Sequence, residues 1–137
     1  MKRLLILGAG FLQKYLIIRA KELGYYTLVL DKRKNAVGYI YADEYAVIDI
    51  VNKEACLKYA MEKQIDGVVT AATDYAVISV AYVAEKMNLK SVNMEAAEAV
   101  KNKYTVRKSL ALSSASGVSQ FLEVSSESDV DNIINKL

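Results

Sequence analysis

A short apolar run that leads directly into a glycine-rich turn, close to the N-terminus, constrains the fold of this chain more than any other feature. Residues 4–7 read Leu-Leu-Ile-Leu, the pattern of a buried strand, and Gly8 and Gly10 follow before a helix begins near Phe11. In a strand–turn–helix unit the first glycine permits a tight turn, the second lets a ligand approach the backbone, and the N-terminus of the helix attracts an anion. Gln13 stands where the dinucleotide-binding pattern G-x-G-x-x-G has its third glycine.

Two interpretations of this turn remain open from the residues alone. In the first, a ligand binds at the carboxyl end of the strand and Gln13 offers its amide to a polar group of that ligand. In the second, the glycines serve only a tight turn and Gln13 is a solvated side chain in the first turn of the helix.

Composition excludes several classes of protein. A chain of 137 residues is one ordinary domain with a real core, and its net charge of +2 indicates neither a nucleic-acid partner nor a membrane surface. The single cysteine, Cys56, and the lack of histidine exclude a disulfide framework, a cysteine metal site and the commonest general base. The N-terminal apolar run is too short for a secretion signal or a membrane span, so we expect a cytoplasmic protein with Cys56 as a buried, inert thiol.

The predicted elements after the glycine turn complete a right-handed βαβ unit. The first helix ends at Gly24, and a second strand over residues 26–30 ends at Asp31, 23 residues after Gly8. An acid at this spacing can bind a ribose hydroxyl, but because Gln13 replaces the third glycine we favour a polar strand end. The basic residues 32–34 could meet a phosphate, although such a run is usually solvated. The predicted inward face of the helix consists of Leu12, Leu16, Ala20 and Leu23.

Further strands are predicted at residues 46–50, 68–70 and 90–92, and helices follow them, two of which begin after Asn52 and Asn93. This alternation predicts an α/β fold, a Rossmann-like open parallel sheet with helices on both faces. Ligands bind such sheets at the carboxyl ends of strands. We therefore expect the turn that contains Thr73 and Asp74 to lie beside the glycine turn, although both residues could instead cap the next helix.

The C-terminal part departs from this alternation. Residues 101–112 predict a further helix, residues 113–117 a linker, and residues 120–124 a strand. Ser126 and Asp129 resemble a capping box before a helix with an apolar stripe. We expect a domain over residues 1–112, and a linker with the first strand and helix of a truncated second domain over residues 113–137. The stripe, which we expect to pack against a second copy in a homodimer, consists of Val130, Ile133, Ile134 and Leu137.

The order of these segments resembles the N-terminal part of the ATP-grasp ligases. This family includes biotin carboxylase, the large subunit of carbamoyl-phosphate synthetase, and the glycinamide and aminoimidazole ribonucleotide ligases of the purine pathway. The matching stretches are LLILGAGFLQ, YADEYAVIDI and IDGVVTAATDYAVISVAYVAEKMNL. The family's hinge into the ATP-grasp domain is matched by Asn102, Lys103, Arg107, Gly117 and Val118, while Ser119 and Gln120 replace its usual proline.

The resemblance implies roles for particular residues. Lys103 corresponds to the hinge lysine that contacts the phosphates of ATP. The carboxylates that hold Mg²⁺ lie beyond residue 137 in the family, so the resemblance implies no catalytic or metal-binding residue in this chain. ATP and Mg²⁺ would belong to the intact parent, whose remaining ATP-grasp domain would be a partner of this chain. The residues implied to border the small-molecule acceptor substrate are Gly8, Gly10, Phe11, Leu12, Gln13, Thr73 and Asp74.

Two functions of different classes therefore remain. The first is the N-terminal domain of an ATP-dependent carboxylate–amine or carbamoyl-phosphate-type ligase, inactive as this fragment. The second is a non-catalytic Rossmann module that senses NAD or another nucleotide, since such domains share the length, the G-x-G turn and an acid after the second strand. Those domains keep the third glycine of the pattern. Because Gln13 replaces it here, the sequence favours the ligase.

Overall fold

The computed structural model describes residues 1–113, 117, 119–124, 126, 130 and 134. The chain forms two compact units, Met1–Ala97 and Glu98–Leu137. The division of the sequence after residue 112 into a Rossmann-like domain and a truncated second domain stays a prediction. Among the described residues, no helix is both long and apolar enough to cross a membrane.

The first unit contains a four-stranded parallel sheet with the strand order β3-β2-β1-β4. Its strands are β1 (Arg3–Leu7), β2 (Tyr26–Asp31), β3 (Glu44–Val47) and β4 (Gly67–Val69). The helices of the chain are α1 (Gln13–Glu22), α2 (Lys53–Lys63), α3 (Val77–Lys86), α4 (Met94–Lys101) and α5 (Lys103–Leu112), and a short 3-10 turn spans Tyr39–Tyr41.

Both faces of this sheet are covered by helices, as the alternating pattern predicts. On one face Leu5 and Leu28 are fully buried against α2 and α3, where they meet Cys56 and Val83. On the other face Ile6 and Val29 pack against Ile17 of α1 and against the 3-10 turn. Each large apolar side chain removed from water in this way contributes about 1.5–3 kcal/mol. The α/β fold class predicted from the sequence is therefore confirmed.

Three predicted features differ in the structure. The predicted third strand lies earlier, at Glu44–Val47, and the predicted fifth strand over residues 90–92 does not form. Its single apolar residue, Val92, is 44% exposed, so a strand there would gain no burial. On α1, Leu12 and Leu23 are exposed because they lie just outside the two ends of the helix, and the buried residues are Gln13, Ile17 and Ala20.

The second unit contains α5, which begins at a side-chain cap. Oδ1 of Asn102 accepts hydrogen bonds from the backbone N–H groups of Tyr104 and Thr105, at 2.9 and 3.2 Å. Residues 119–124 carry no regular secondary structure, so the strand predicted there is not observed. Val130 and Ile134 of the predicted apolar stripe are exposed. The other residues named for this region that lie outside the described residues are 114–116, Val118, Asp129, Ile133 and Leu137.

Candidate functional site

The glycine turn lies at the carboxyl end of β1 and is fastened to β2. Gly8 has a φ of +107°, a conformation that glycine adopts without strain, and its N–H donates to the carbonyl of Leu30 at 2.8 Å. The N–H of the next residue, Ala9, donates to Oδ2 of Asp31 at 2.9 Å. The carbonyl of Ala9 accepts from the N–H of Gly38 at 2.8 Å. The backbone of the turn is thus held through both of its neighbouring segments.

Neighbouring side chains lie so close to this turn that a larger residue in place of either glycine would force them to shift. A Cβ added at Gly10 would lie 2.6 Å from Oε1 of Gln13 and 3.1 Å from Nη2 of Arg33. A Cβ added at Gly8 would lie 3.2 Å from Cγ of Gln13. The two glycines therefore leave room for the side chains of Gln13 and Arg33 as well as allowing the turn.

Gln13 joins the two turns that the sequence predicted to lie together. Although it is the first residue of α1, it is only 8% exposed. Its Nε2 donates to the carbonyl of Ala71 at 2.7 Å and, at a longer 3.4 Å, to that of Ala72. The interpretation of Gln13 as a solvated side chain is therefore wrong, and the turns after β1 and β4 lie side by side.

The second turn is not organised as a helix cap. The N-cap position of α3 is Ala76, and no side chain caps this helix. Oγ1 of Thr73 accepts from the N–H of Tyr75 at 3.3 Å, within the turn itself. Asp74 is exposed, and its carboxylate has no hydrogen-bond or ion-pair partner among the described residues. Ala72 has a φ of +56°, uncommon for a residue other than glycine, which marks this turn as strained.

Both carboxylate oxygens of Asp31, the acid at the end of β2, are occupied within the chain. Oδ1 accepts from the backbone N–H and Nε of Arg33, each at 2.9 Å, and Oδ2 accepts from Nη2 of Arg33 at 2.8 Å in addition to the N–H of Ala9. With all these bonds in place, no oxygen is left to receive a ribose hydroxyl. Asp31 is therefore the polar strand end that the sequence favoured. The sequence analysis did not predict the bidentate ion pair with Arg33. The opposite charges of Asp31 and Arg33, two residues apart at the end of a strand, could have indicated it.

This ion pair changes the pKa of the buried carboxyl group. Burial alone would raise the pKa of Asp31, but the hydrogen bonds from Arg33 and Ala9, together with the guanidinium charge, lower it from 3.8 to about 2. The same contacts raise the pKa of Arg33. One charge of the basic run over residues 32–34 is thus neutralised by Asp31.

A groove of about 620 Å³ adjoins the glycine turn on the side of α1. Phe11 forms part of its wall and is 62% exposed, and the amino group of Lys14 lies 4.2 Å from the centre of the Phe11 ring. Tyr39 and Tyr45, which also line the groove, stack with their ring centres 4.1 Å apart. The predicted site residue Leu12 is likewise exposed, at 60%. The surface beside the turn is therefore aromatic and basic.

Lys103, the predicted ATP-binding residue, belongs to the second unit. It is the first residue of α5 and its side chain is exposed. The structure therefore brings Gln13 into contact with the second turn. Lys103 belongs to the unit Glu98–Leu137.

The fold and the two joined turns define an α/β domain of the Rossmann-like type, with both turns at the carboxyl ends of parallel strands, where such sheets bind their ligands. No protein-family model matches the chain. The chain is 41% identical over 68 residues to formate-dependent phosphoribosylglycinamide formyltransferase from Prochlorococcus marinus, a match that covers 50% of this chain and 17% of that protein.

Two solved structures are similar to nearly the whole of this chain. Phosphoribosylglycinamide synthetase from Anaerococcus prevotii matches 99% of this chain and 35% of its own, with a TM-score of 0.78 and 31% identity. N5-carboxyaminoimidazole synthetase from Staphylococcus aureus, complexed with ADP, matches 99% of this chain and 36% of its own, with a TM-score of 0.81 and 20% identity, which shows the fold alone. The chain spans about a third of these two structures. The predicted resemblance to the N-terminal domain of ATP-grasp ligases is confirmed. The relatives also support the coarser prediction that the chain is the N-terminal domain of an ATP-dependent ligase.

Proposed function

We propose that this chain is the acceptor-substrate side of an ATP-dependent carboxylate–amine ligase. The observation that carries the proposal is the hydrogen bond from Gln13 to Ala71, because it joins two turns at the edge of the sheet where such folds bind their ligands. The names of the relatives, a phosphoribosylglycinamide synthetase and a formate-dependent phosphoribosylglycinamide formyltransferase, favour an amine acceptor over the carbamoyl-phosphate type.

We assign the acceptor to the surface beside these two turns, bordered by Gly8, Gly10, Gln13, Thr73 and Asp74. Phe11 and Leu12 extend this border towards the aromatic and basic groove. In the intact enzyme, ATP would transfer its γ-phosphoryl group to a carboxylate, and the amine would displace phosphate from the acyl phosphate and lose a proton. Mg²⁺ would stabilise the transferred group, and Lys103 is the residue of this chain that we assign to the phosphates of ATP.

We also propose that these 137 residues have no ligase activity alone and bind Mg-ATP weakly or not at all. In the resembled family the carboxylates for Mg²⁺ belong to the following domain, and Lys103 by itself offers only one exposed cation. A single exposed charge contributes little to binding because water and salt screen it.

Isothermal titration calorimetry with Mg-ATP tests these assignments. We expect no micromolar binding to the wild-type chain, or weak binding that is lost in Lys103→Ala and kept in Lys108→Ala, where the substituted lysine is also exposed and lies on the same helix. Micromolar binding that survives Lys103→Ala would contradict both the proposed inactivity and the role of Lys103.

The alternative of an NAD-sensing module makes the opposite prediction for a second titration. In the structure, the side chain of Gln13 fills the space over the glycine turn, and Arg33 and Ala9 occupy the carboxylate of Asp31. We therefore expect no binding of NAD. Micromolar binding of NAD that is lost in Asp31→Asn would favour the sensing module over the ligase.

A further inference from the structure

The groove beside α1 is surrounded by exposed apolar side chains. Ile40 is 81% exposed, and Phe11, Val37 and Tyr45, which also line the groove, are exposed as well. Large apolar side chains that meet at one exposed place mark a surface that binds another molecule. Phe11 is the one residue that this groove shares with the surface assigned to the acceptor, so the groove is a second surface with its own occupant.

The groove lacks the inward polar groups that orient a small ligand. The hydroxyl of Tyr39 donates to the carbonyl of Asp31 at 2.7 Å and lies 3.3 Å from that of Ala46, so it is occupied within the chain. Lys34 and Asn35 are exposed at the rim. Small-molecule sites enclose their ligand and hold it with a few placed polar groups. An apolar segment of protein therefore fits this groove better than a small molecule.

The charges of the groove select the kind of segment. Lys14 and Lys34 both line it, and in the described part of the chain its wall contains no acidic residue. Neither lysine belongs to an ion pair among the described residues. The groove thus presents two positive charges beside apolar surface, which complements a segment that is both apolar and acidic.

The C-terminal tail, residues 118–137, has this complementary chemistry. The exposed apolar side chains of its described part are Leu122, Val124, Val130 and Ile134. The charged residues of the tail are four acids and one base, namely Glu123, Glu127, Asp129, Asp131 and Lys136. The groove and the tail are both exposed in the single chain, so a second copy can bring one against the other.

We propose that the groove beside α1 binds the C-terminal tail of a second copy of this chain. In a dimer with two-fold symmetry each copy supplies one groove and one tail, so the dimer contains two identical contacts. Burial of apolar surface stabilises the contact, and Lys14 and Lys34 favour an acidic segment over a basic one. This inference goes beyond the proposed function, since it assigns a partner to a surface that the reaction does not use.

Sedimentation velocity of the full chain tests this pairing with one variant of each surface. Ile40→Asp changes the groove, Ile134→Asp changes the tail, and both positions are exposed, so circular dichroism should show an unchanged fold. We expect the wild type to dimerise and each variant alone to associate roughly tenfold more weakly or worse, because each substitution alters both contacts. Leu23→Asp, at an exposed leucine outside the groove, is the control and should dimerise like the wild type.

A mixture of the two variants identifies which surfaces meet. Ile40→Asp keeps its tail and Ile134→Asp keeps its groove, so an equal mixture should associate more tightly than either variant alone. A dimer of groove against groove would survive Ile134→Asp, and a dimer of tail against tail would survive Ile40→Asp. Either pattern, a mixture no tighter than its components, or a wild-type chain that stays monomeric would overturn the inference.

A second pair of variants tests the charge of the occupant. Lys34→Glu and Lys58→Glu change the net charge equally, but Lys58 is an exposed lysine of α2 that does not line the groove. We expect Lys34→Glu to weaken the dimer several-fold more than Lys58→Glu does, and this difference should shrink as salt screens the charges. Equal effects of the two variants would overturn the acidic tail as the occupant of the groove.

Discussion

The ion pair between Asp31 and Arg33 gives a stability prediction whose size follows from the structure. Asp31 is 4% exposed, and the pKa of its carboxyl group is lowered from 3.8 to about 2. At 1.36 kcal/mol per pKa unit, this shift corresponds to roughly 2 kcal/mol of stability. Because the pKa is lower in the folded state, the contribution is complete above the unfolded value of 3.8 and is lost as the pH falls towards 2.

We predict that Arg33→Met lowers the free energy of unfolding by about 1–2 kcal/mol at neutral pH. The variant keeps the backbone N–H groups of Ala9 and residue 33 on the carboxylate, and the Arg33 side chain is 59% exposed, so the loss stays below that of a fully buried pair. Arg19→Met is the matched control, because Arg19 pairs with Glu22 at 2.9 Å on the surface, and it should change stability by at most about 0.5 kcal/mol.

Urea unfolding followed by circular dichroism measures both variants, and NMR titration of the carboxyl carbon reports the pKa of Asp31 directly. The pKa should rise in Arg33→Met, and the stability difference from the wild type should shrink as the pH falls from 4 towards 2. Equal losses in Arg33→Met and Arg19→Met, or an unchanged pKa of Asp31, would refute the reasoning.

Three further predictions concern other parts of the chain. Gly38→Ala should destabilise the fold by about 1–3 kcal/mol in the same unfolding assay, since its Cβ would lie 2.8 Å from Cδ1 of Ile17; unchanged stability would contradict this packing. Cys56, whose pKa burial raises to about 11, should resist a thiol reagent at neutral pH until the chain unfolds; rapid reaction in the folded chain would show that the thiol is accessible. Light scattering should show a dimer that is lost on removal of residues 118–137, because exposed Val130 and Ile134 favour burial against a second copy; a monomer in both cases would show that the tail does not drive association.

The sequence predicted those parts of the structure that depend on local patterns. The first strand, its glycine turn and the second strand were correct because apolar runs and turn residues lie close together in the chain. The caps at Asn52 and Asn93 were correct for the same reason, since a cap needs a suitable residue only three positions before its donor. The strands predicted at residues 90–92 and 120–124 failed because a short apolar segment becomes a strand only when the fold offers it a partner.

The proximity of the two turns was predictable from the sequence, but their contacts were not. The carboxyl-end rule for parallel sheets predicts that the two turns lie together. The bond between Gln13 and Ala71 joins residues 58 positions apart, and no local pattern specifies it. The ion pair between Arg33 and Asp31 joins residues that are close in the sequence. A basic side chain after a strand can also extend into solvent, so the charge pattern alone did not predict this pair.

The peptide units on either side of Ala9 have a consequence for the thermodynamics of binding. Its N–H is held by Asp31 and its carbonyl by Gly38, so the backbone of the turn loses its conformational freedom when the chain folds and before any ligand arrives. A ligand that meets this turn therefore has little ordering of the protein left to impose. We expect the entropy of association at the glycine turn to reflect water and ligand more than the chain, and backbone order parameters at Ala9 to be the same with and without a bound molecule.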